Sequence, residues 1–425
     1  MPDEIVRPAF SGRDRPLLSY GLPFPDAAAK HVSETFSASR VYVIISGSLA
    51  QNTDALDRLC ARLGAETVVG ARRGMKSHTL WSEVLEIVDD VRRTDADLIL
   101  TLGGGSLTDG AKVVAFALAN NVHTPTDLSS LSQGPQKRPS SSINPPTVPI
   151  LSIPTSLSAG EYSNFAGSTN DDTRRKHSFQ APLRGPQLVV LDPVLTASTP
   201  DAIWLSTGVR AVDHCVETLC AITTPSPTAT ATSSGDGPGS ATDELAIQAL
   251  AKLVPGLLRT KSARDDSGAR LECQLGSVDA MAACTGGGVE LGASHGIGHQ
   301  LGPLGVGHGE TSCVLLPAVC KFNARYSEAN RARQDCVRAL LVADPVVDGV
   351  LRARMTVREE LDLGDVLDAV IRELGMPRSL REVGVGREQL DALAENSLHD
   401  RWCISNPVPL REKRQVLEIL ESVVD

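Results

Sequence analysis

Apolar residues in the first half of the chain come in short β-branched runs separated by stretches of helical period. Residues 40–45, Arg-Val-Tyr-Val-Ile-Ile, form an unbroken run of the kind a buried parallel strand requires. Residues 67–69, 96–102, 148–153 and 187–192 repeat the signal. Between them, residues 49–63 set Leu56, Leu59, Cys60 and Leu63 on one helical face, and residues 78–93 do the same with Val84, Leu85, Ile87, Val88 and Val91. Strands alternating with helices predict an α/β domain built on a doubly wound parallel sheet. Residues 1–39 read as an entry segment with room for a short hairpin. From about Asp201 the helical period takes over, in 246–258, 271–284, 327–342, 363–374 and 409–424, and strand signals nearly vanish. The boundary falls near Ser198, giving an α/β domain over 1–198 and an all-α domain over 199–425. Two biased stretches break the pattern. Residues 124–147 are Ser/Pro-rich and predict a mobile surface loop, and residues 223–242 are a second low-complexity segment.

Composition narrows the function classes. A net charge of -10 argues against a polyanionic partner, and 3% aromatic residues argue against stacking platforms for single-stranded nucleic acid. None of the nine cysteines forms a CxxC pair, so they read as reduced, buried thiols. The acidic start is not a signal peptide, and no apolar run approaches the roughly 18 residues of a membrane span. A cytoplasmic enzyme acting on a small molecule, without nucleic acid or membrane partners, is the expectation.

Two features carry chemistry. The first is the turn Gly103-Gly104-Gly105-Ser106 between an apolar run and a helical stretch reaching Ala119. Glycines admit close approach and unusual backbone angles, Ser106 is placed to cap the helix, and first-turn N–H groups attract an anion. A plain tight turn would use the same residues. The second is a histidine set. His295 and His299 lie four apart, as do Arg210 and His214, while His308 follows a Gly/Pro-rich turn. Such imidazoles suit a divalent metal, or they are simply hydrogen-bonded on a helix face. His31, His78, His123, His177 and His399 show no spacing signal and are expected at the surface or at helix ends.

These motifs occur in the order seen in the iron-containing (group III) alcohol dehydrogenase superfamily, which the chain resembles over nearly its whole length. GGGSLTDGAK at 103–112 looks like the family's GGGSxxDxAK, PTSLSAGE at 154–161 its second turn, and LRGPQLVVLDP at 183–193 its LRP…DP segment. Residues 208–217, 294–299 and 307–309 are similar to its three histidine motifs, and Leu315–Pro317 and Asn323 match the positions after the third. The resemblance implies a dehydroquinate synthase-like fold, with a dinucleotide domain and a helical domain flanking a cleft. It implies NAD or NADP on Gly104, Gly105, Ser106 and Asp109, with Thr155, Ser156 and Leu157 on the nicotinamide side and Lys176 nearby. Ser46 stands where relatives often carry an Asp for the adenosine ribose, which leaves NAD and NADP both open. Arg72 and Arg73 are candidates for a 2′-phosphate. The family's metal ligands are one Asp and three His. His214, His295 and His308 match the histidines, but Arg210 occupies the Asp position, and a guanidinium cannot ligate iron or zinc. The maleylacetate reductase branch also lacks that Asp and is regarded as metal-free. The expectation is therefore a metal-independent NAD(P)H-dependent reductase of a carbonyl or conjugated oxo acid, maleylacetate-like, working as a homodimer. Arg210, His214, His295 and His308 would bind and polarise the substrate oxygen, and His299 would move the proton. The alternatives are a metal-dependent alcohol dehydrogenase ligating through His214, His295 and His308, a lyase- or cyclase-type biosynthetic enzyme of the same fold, and a partner-binding module.

Overall fold

The computed structural model describes residues 3–76, 79–133, 140–222, 240–286, 288–354 and 361–425. It forms two compact units, residues 1–199 and 200–425.

The first unit is built on a seven-stranded sheet. Its strands are β1 Ile5–Pro8, β2 Leu17–Tyr20, β3 Val41–Ile45, β4 Val68–Arg73, β5 Leu98–Gly103, β6 Ile150–Pro154 and β9 Leu188–Leu191. They lie in the order β1-β2-β9-β6-β5-β3-β4. Only β1 runs antiparallel, closing the entry hairpin against β2. β7 Ala166–Thr169 and β8 Lys176–Phe179 form a separate hairpin with no period-2 apolar pattern long enough to announce it. The helices α1 Phe24–Glu34, α2 Gly47–Asn52 and α3 Ala55–Leu63 precede α4 Trp81–Arg93, α5 Gly105–Ala119, α6 Pro125–Leu131 and α7 Pro193–Thr196. β3, β5 and β6 are buried at every residue because helices cover both faces. Val41, Val43 and Ile45 pack with Phe24, Leu56 and Leu59, whereas Tyr42 and Ile44 pack with Val84, Val88 and Ala111. Successive β-strand side chains point to opposite faces, so one strand serves both cores. From β3 the chain goes out to β4 and returns to β5 on the other side. This reversal makes the carboxyl ends of β3 and β5 the ligand crevice of an open α/β sheet.

Residues 124–147 are not simply a loop. Thr124 caps α6 through a capping box with Asp127, and Leu128 and Leu131 are buried. Pro125 occupies the first helical position, where its missing N–H costs nothing. Residues 134–139 lie outside the described residues, as do His78 and residues 223–239 of the second biased stretch. His31 is buried rather than exposed, held between Glu4 Oε1 at 2.8 Å and Thr35 Oγ1 at 2.7 Å.

The second unit is helical, with no strand among its described residues. It comprises α8 Asp201–Cys220, α9 Ala241–Ser262, α10 Ser267–Gly286, α11 Ala293–Leu301, α12 His308–Tyr326 and α13 Glu328–Ala343. These are followed by α14 Pro345–Arg354, α15 Leu363–Glu373, α16 Leu390–Ser397, α17 Arg401–Ser405 and α18 Lys413–Glu421. The last half of α8 is buried all round. A helix enclosed on every side is where polar side chains must find partners within the protein. Among the described residues no helix is long and apolar enough to cross a membrane.

Candidate active site

At the carboxyl end of β5, Gly103 has φ +151°, and a Cβ there would meet Ser46 Cβ at 2.9 Å. Only glycine fits both the angle and the space. Ser46 thus forms one wall of the turn and caps α2 through Leu49 N–H. Ser156 Oγ lies 3.4 Å from where a Gly104 Cβ would stand, and Ser158 Cβ lies 3.2 Å from that of Gly105. The Thr155 N–H donates to Gly103 O at 2.9 Å, joining the two turns. Gly104, not Ser106, is the N-cap of α5, and no side chain caps it. Ser106 lies exposed in the first turn. The first-turn amides of α5 are thus left without a side-chain cap.

The rest of the glycine motif holds the scaffold. Lys112 is fully buried, and its Nζ donates to Gly160 O at 2.6 Å, Phe165 O at 2.8 Å, Asp109 Oδ1 at 3.1 Å and Ser163 Oγ at 3.2 Å. Asp109 Oδ2 also accepts from Gly167 N–H. Glu161 is buried beneath, accepting from Thr108 Oγ1, and burial pushes its carboxyl above the usual range. This network ties α5 to the loop after β6. Leu157 is 1% exposed, so its side chain belongs to the core. Lys176, exposed on β8, lies over Gly167. Arg72 is engaged by Glu86 at 2.8 Å, Glu83 at 3.3 Å and Gly74 O. Arg73 is exposed at the end of β4, in register with Ile45.

In the helical unit, the carboxylates of α8 organise α11. Glu217 Oε2 accepts Gly292 N–H and shares a hydrogen bond with His295 Nδ1, each at 2.8 Å, and Oε1 accepts Ser294 N–H at 2.8 Å. Asp213 Oδ2 accepts the hydroxyls of Ser294 at 2.7 Å and Ser312 at 2.6 Å. His214 and His295 stack, with centroids 4.8 Å apart and planes at 25°. Burial drives both imidazoles toward the neutral form, with Arg210 reinforcing it. Arg210 is half-buried, and its Nη1 donates to Ser312 Oγ at 3.2 Å. No carboxylate, that of Asp213 or Glu217 included, lies within 4.0 Å of its guanidinium among the described residues. His308, exposed at the start of α12, is near enough to act electrostatically on His295.

His295 Nε2, His214 Nδ1 and Asp213 Oδ1 are buried without a hydrogen-bond partner among the described residues. Ligand atoms of Asp213, Glu217 and His295 lie within 4.8 Å of one another, close enough to suggest a metal site. Yet Glu217 and Asp213 Oδ2 already take part in five hydrogen bonds between them. The nitrogens that do offer lone pairs sit in the field of Arg210.

One turn beyond His295, His299 Nδ1 donates to Asp400 Oδ2 at 2.8 Å. Its ring lies 4.8 Å from the Trp402 ring, whose edge also meets His295 at 5.6 Å. Gly296 makes this possible, since a Cβ there would lie 2.7 Å from Cys403 Sγ and 2.9 Å from Cys403 N. Asp400 and Trp402 lie about a hundred residues from the histidines in sequence, with no spacing to signal them.

Residues 23–193 match the iron-containing alcohol dehydrogenase family, and residues 204–424 match that family's C-terminal region. Dehydrogenase FUM7 of Gibberella moniliformis is 39% identical over 423 residues, covering 97% of each chain. Among solved structures, maleylacetate reductase from Rhizobium sp. strain MTP-10005 is similar with a TM-score of 0.69 at 23% identity, covering 100% of this chain and 98% of its own. Sulfoacetaldehyde reductase from Bifidobacterium kashiwanohense, in complex with NAD+, reaches 0.75 at 17% identity over 96% of each.

Proposed function

For a chain that belongs to the iron-containing alcohol dehydrogenase family, and is a dehydrogenase or reductase, we propose NAD(P)H-dependent reduction of an oxo acid or aldehyde without a resident metal. One observation carries the reading. Arg210 presents a guanidinium with no carboxylate partner beside two neutral imidazoles. A fixed positive charge in a low-dielectric pocket binds a substrate carboxylate or stabilises charge developing on a carbonyl oxygen. Those are the tasks a metal performs in a Lewis-acid site.

A bound reduced nicotinamide supplies the hydride. The chain's own groups do the rest. The uncapped α5 terminus and the Gly103–Gly105 turn receive the pyrophosphate, with Ser46, Thr155 and Ser156 around it. Arg210, His214, His295 and His308 hold the substrate oxygen. His299 delivers the proton to that oxygen at Nε2. The family resemblance and the activities for which similar reductases are named support the reaction class.

The test is turnover of NADH and NADPH by purified protein against a panel of 2-oxo acids, 4-oxo acids and short aldehydes, with metal content measured in parallel. Turnover resistant to chelator is expected. Stoichiometric iron or zinc, with activity lost on chelation, would establish the metal-dependent alternative. Nucleotide binding without any turnover would favour the lyase- or cyclase-type alternative.

A further inference from the structure

The two oxygens of Asp400 serve different donors. Oδ1 accepts Trp402 N–H at 2.9 Å and caps α17, and Oδ2 accepts His299 Nδ1 at 2.8 Å. Asp400 is 13% exposed, and no other cation lies within 4.0 Å of it among the described residues. An ionised carboxylate only accepts, so His299 Nδ1 carries the proton. The neutral ring then has its lone pair on Nε2, which has no protein partner among the described residues. His299 is 36% exposed, and the Trp402 ring lies against it, with centroids 4.8 Å apart and planes tilted by 35°. An imidazole with a largely shielded carboxylate behind one nitrogen and an open second nitrogen is a proton-transfer device.

We propose that Asp400 is the positioning residue that makes Nε2 of His299 the proton-transfer atom of the site. The proposal rests on the reductase reading above. In the reducing direction the carbonyl carbon gains a hydride and the nicotinamide is oxidised. The Nε2–H bond of the imidazolium breaks, its electron pair stays on nitrogen, and the proton goes to the substrate oxygen. The neutral ring is left with Nδ1–H on Asp400, and solvent restores the Nε2 proton. Alcohol oxidation runs the same path backwards.

Asn at position 400 has one oxygen where Asp has two. If that oxygen keeps the cap, the amide N–H faces His299 Nδ1 and forces the Nε2–H tautomer. If it turns to His299, the cap is lost. In 15N-labelled full-length protein, nitrogen shifts should show His299 as the Nδ1–H tautomer, and Asp400→Asn should move it to Nε2–H. Carbethoxylation of His299 by diethylpyrocarbonate, mapped by peptide mass spectrometry, should slow by about tenfold because the reactive lone pair is gone. Turnover of the best panel substrate should fall by about 10²-fold in kcat, with KM and nucleotide Kd nearly unchanged. In a His299→Gln background, Asp400→Asn should cost nothing further. An Nε2–H tautomer in the wild type, an unchanged kcat in Asp400→Asn, or a loss that persists in the His299→Gln background would overturn the proposal. If Asp400→Asn fails to fold, the wild-type tautomer still decides. Failure of the wild type to turn over any panel member instead sinks the reductase reading.

Discussion

Arg210 reaches Asp213 only through Ser312: its Nη1 donates to Ser312 Oγ at 3.2 Å, and Ser312 donates to Asp213 Oδ2 at 2.6 Å. The hydroxyl separates a cation and an anion that would otherwise neutralise one another. Arg210 therefore keeps its charge available toward His214 and His295.

Arg210→Ala should lower kcat/KM for an anionic oxo acid by about 10- to 100-fold, the worth of one charge-assisted contact, with nucleotide affinity unchanged. Steady-state kinetics and nucleotide fluorescence titration check this. Equal kinetics in variant and wild type would remove Arg210 from the site. Arg210→Asp adds an anionic oxygen beside His214 and His295 and should raise divalent metal content, read by elemental analysis.

Glu217 links stability to pH. Burial outweighs its three N–H donors and pushes the carboxyl from 4.5 to about 7. The folded state thus holds a proton that the unfolded state releases near pH 4.5. The resulting stability is present below that pH and is lost as pH rises toward 7, on the order of 3 kcal/mol. His295, held below its ordinary value of 6.5, works in the opposite sense up to that pH, so the effect shows in a difference. Glu217→Gln should be less stable by about 1–3 kcal/mol near pH 5, because its amide confronts backbone donors. The gap should narrow by pH 7 in denaturant titrations, and a gap independent of pH would contradict the assignment.

Gly103→Ala should lower stability by about 1–3 kcal/mol through backbone strain. It should also weaken NAD(P)H binding, since relief of the 2.9 Å approach to Ser46 moves the turn. Thermal melts and nucleotide titration read the two effects, and full affinity would place the cofactor elsewhere.

Two lysines separate scaffold from contact. Lys112→Met strands Asp109 and two backbone carbonyls inside the first unit and should cost about 3–5 kcal/mol. Lys176→Ala, at an exposed strand position, should leave the melting temperature within about 1 °C. If Lys176 touches the cofactor, the same variant weakens nucleotide binding. A Lys112→Met protein as stable as wild type would show that the buried ammonium is not structural.

The strand runs at 40–45, 96–102, 148–153 and 187–192 were legible because burial on both faces demands unbroken apolar residues. The glycine turn was legible because few residues tolerate its angles and contacts. The order of motifs carried the family, and the Arg at position 210 carried the departure from it. The sequence did not reveal that Thr124 starts a helix inside a Ser/Pro-rich stretch, since a cap acts through a geometry that composition hides. Nor did it show that Arg72 is held by Glu83 and Glu86, or that Lys112 is core rather than contact. Asp400 and Trp402 became site residues only in three dimensions. Helix packing alone brings α8, α11 and α17 together. Local pattern determines which elements form, but which buried polar groups satisfy one another, and which are left free to do chemistry, is decided by non-local contact.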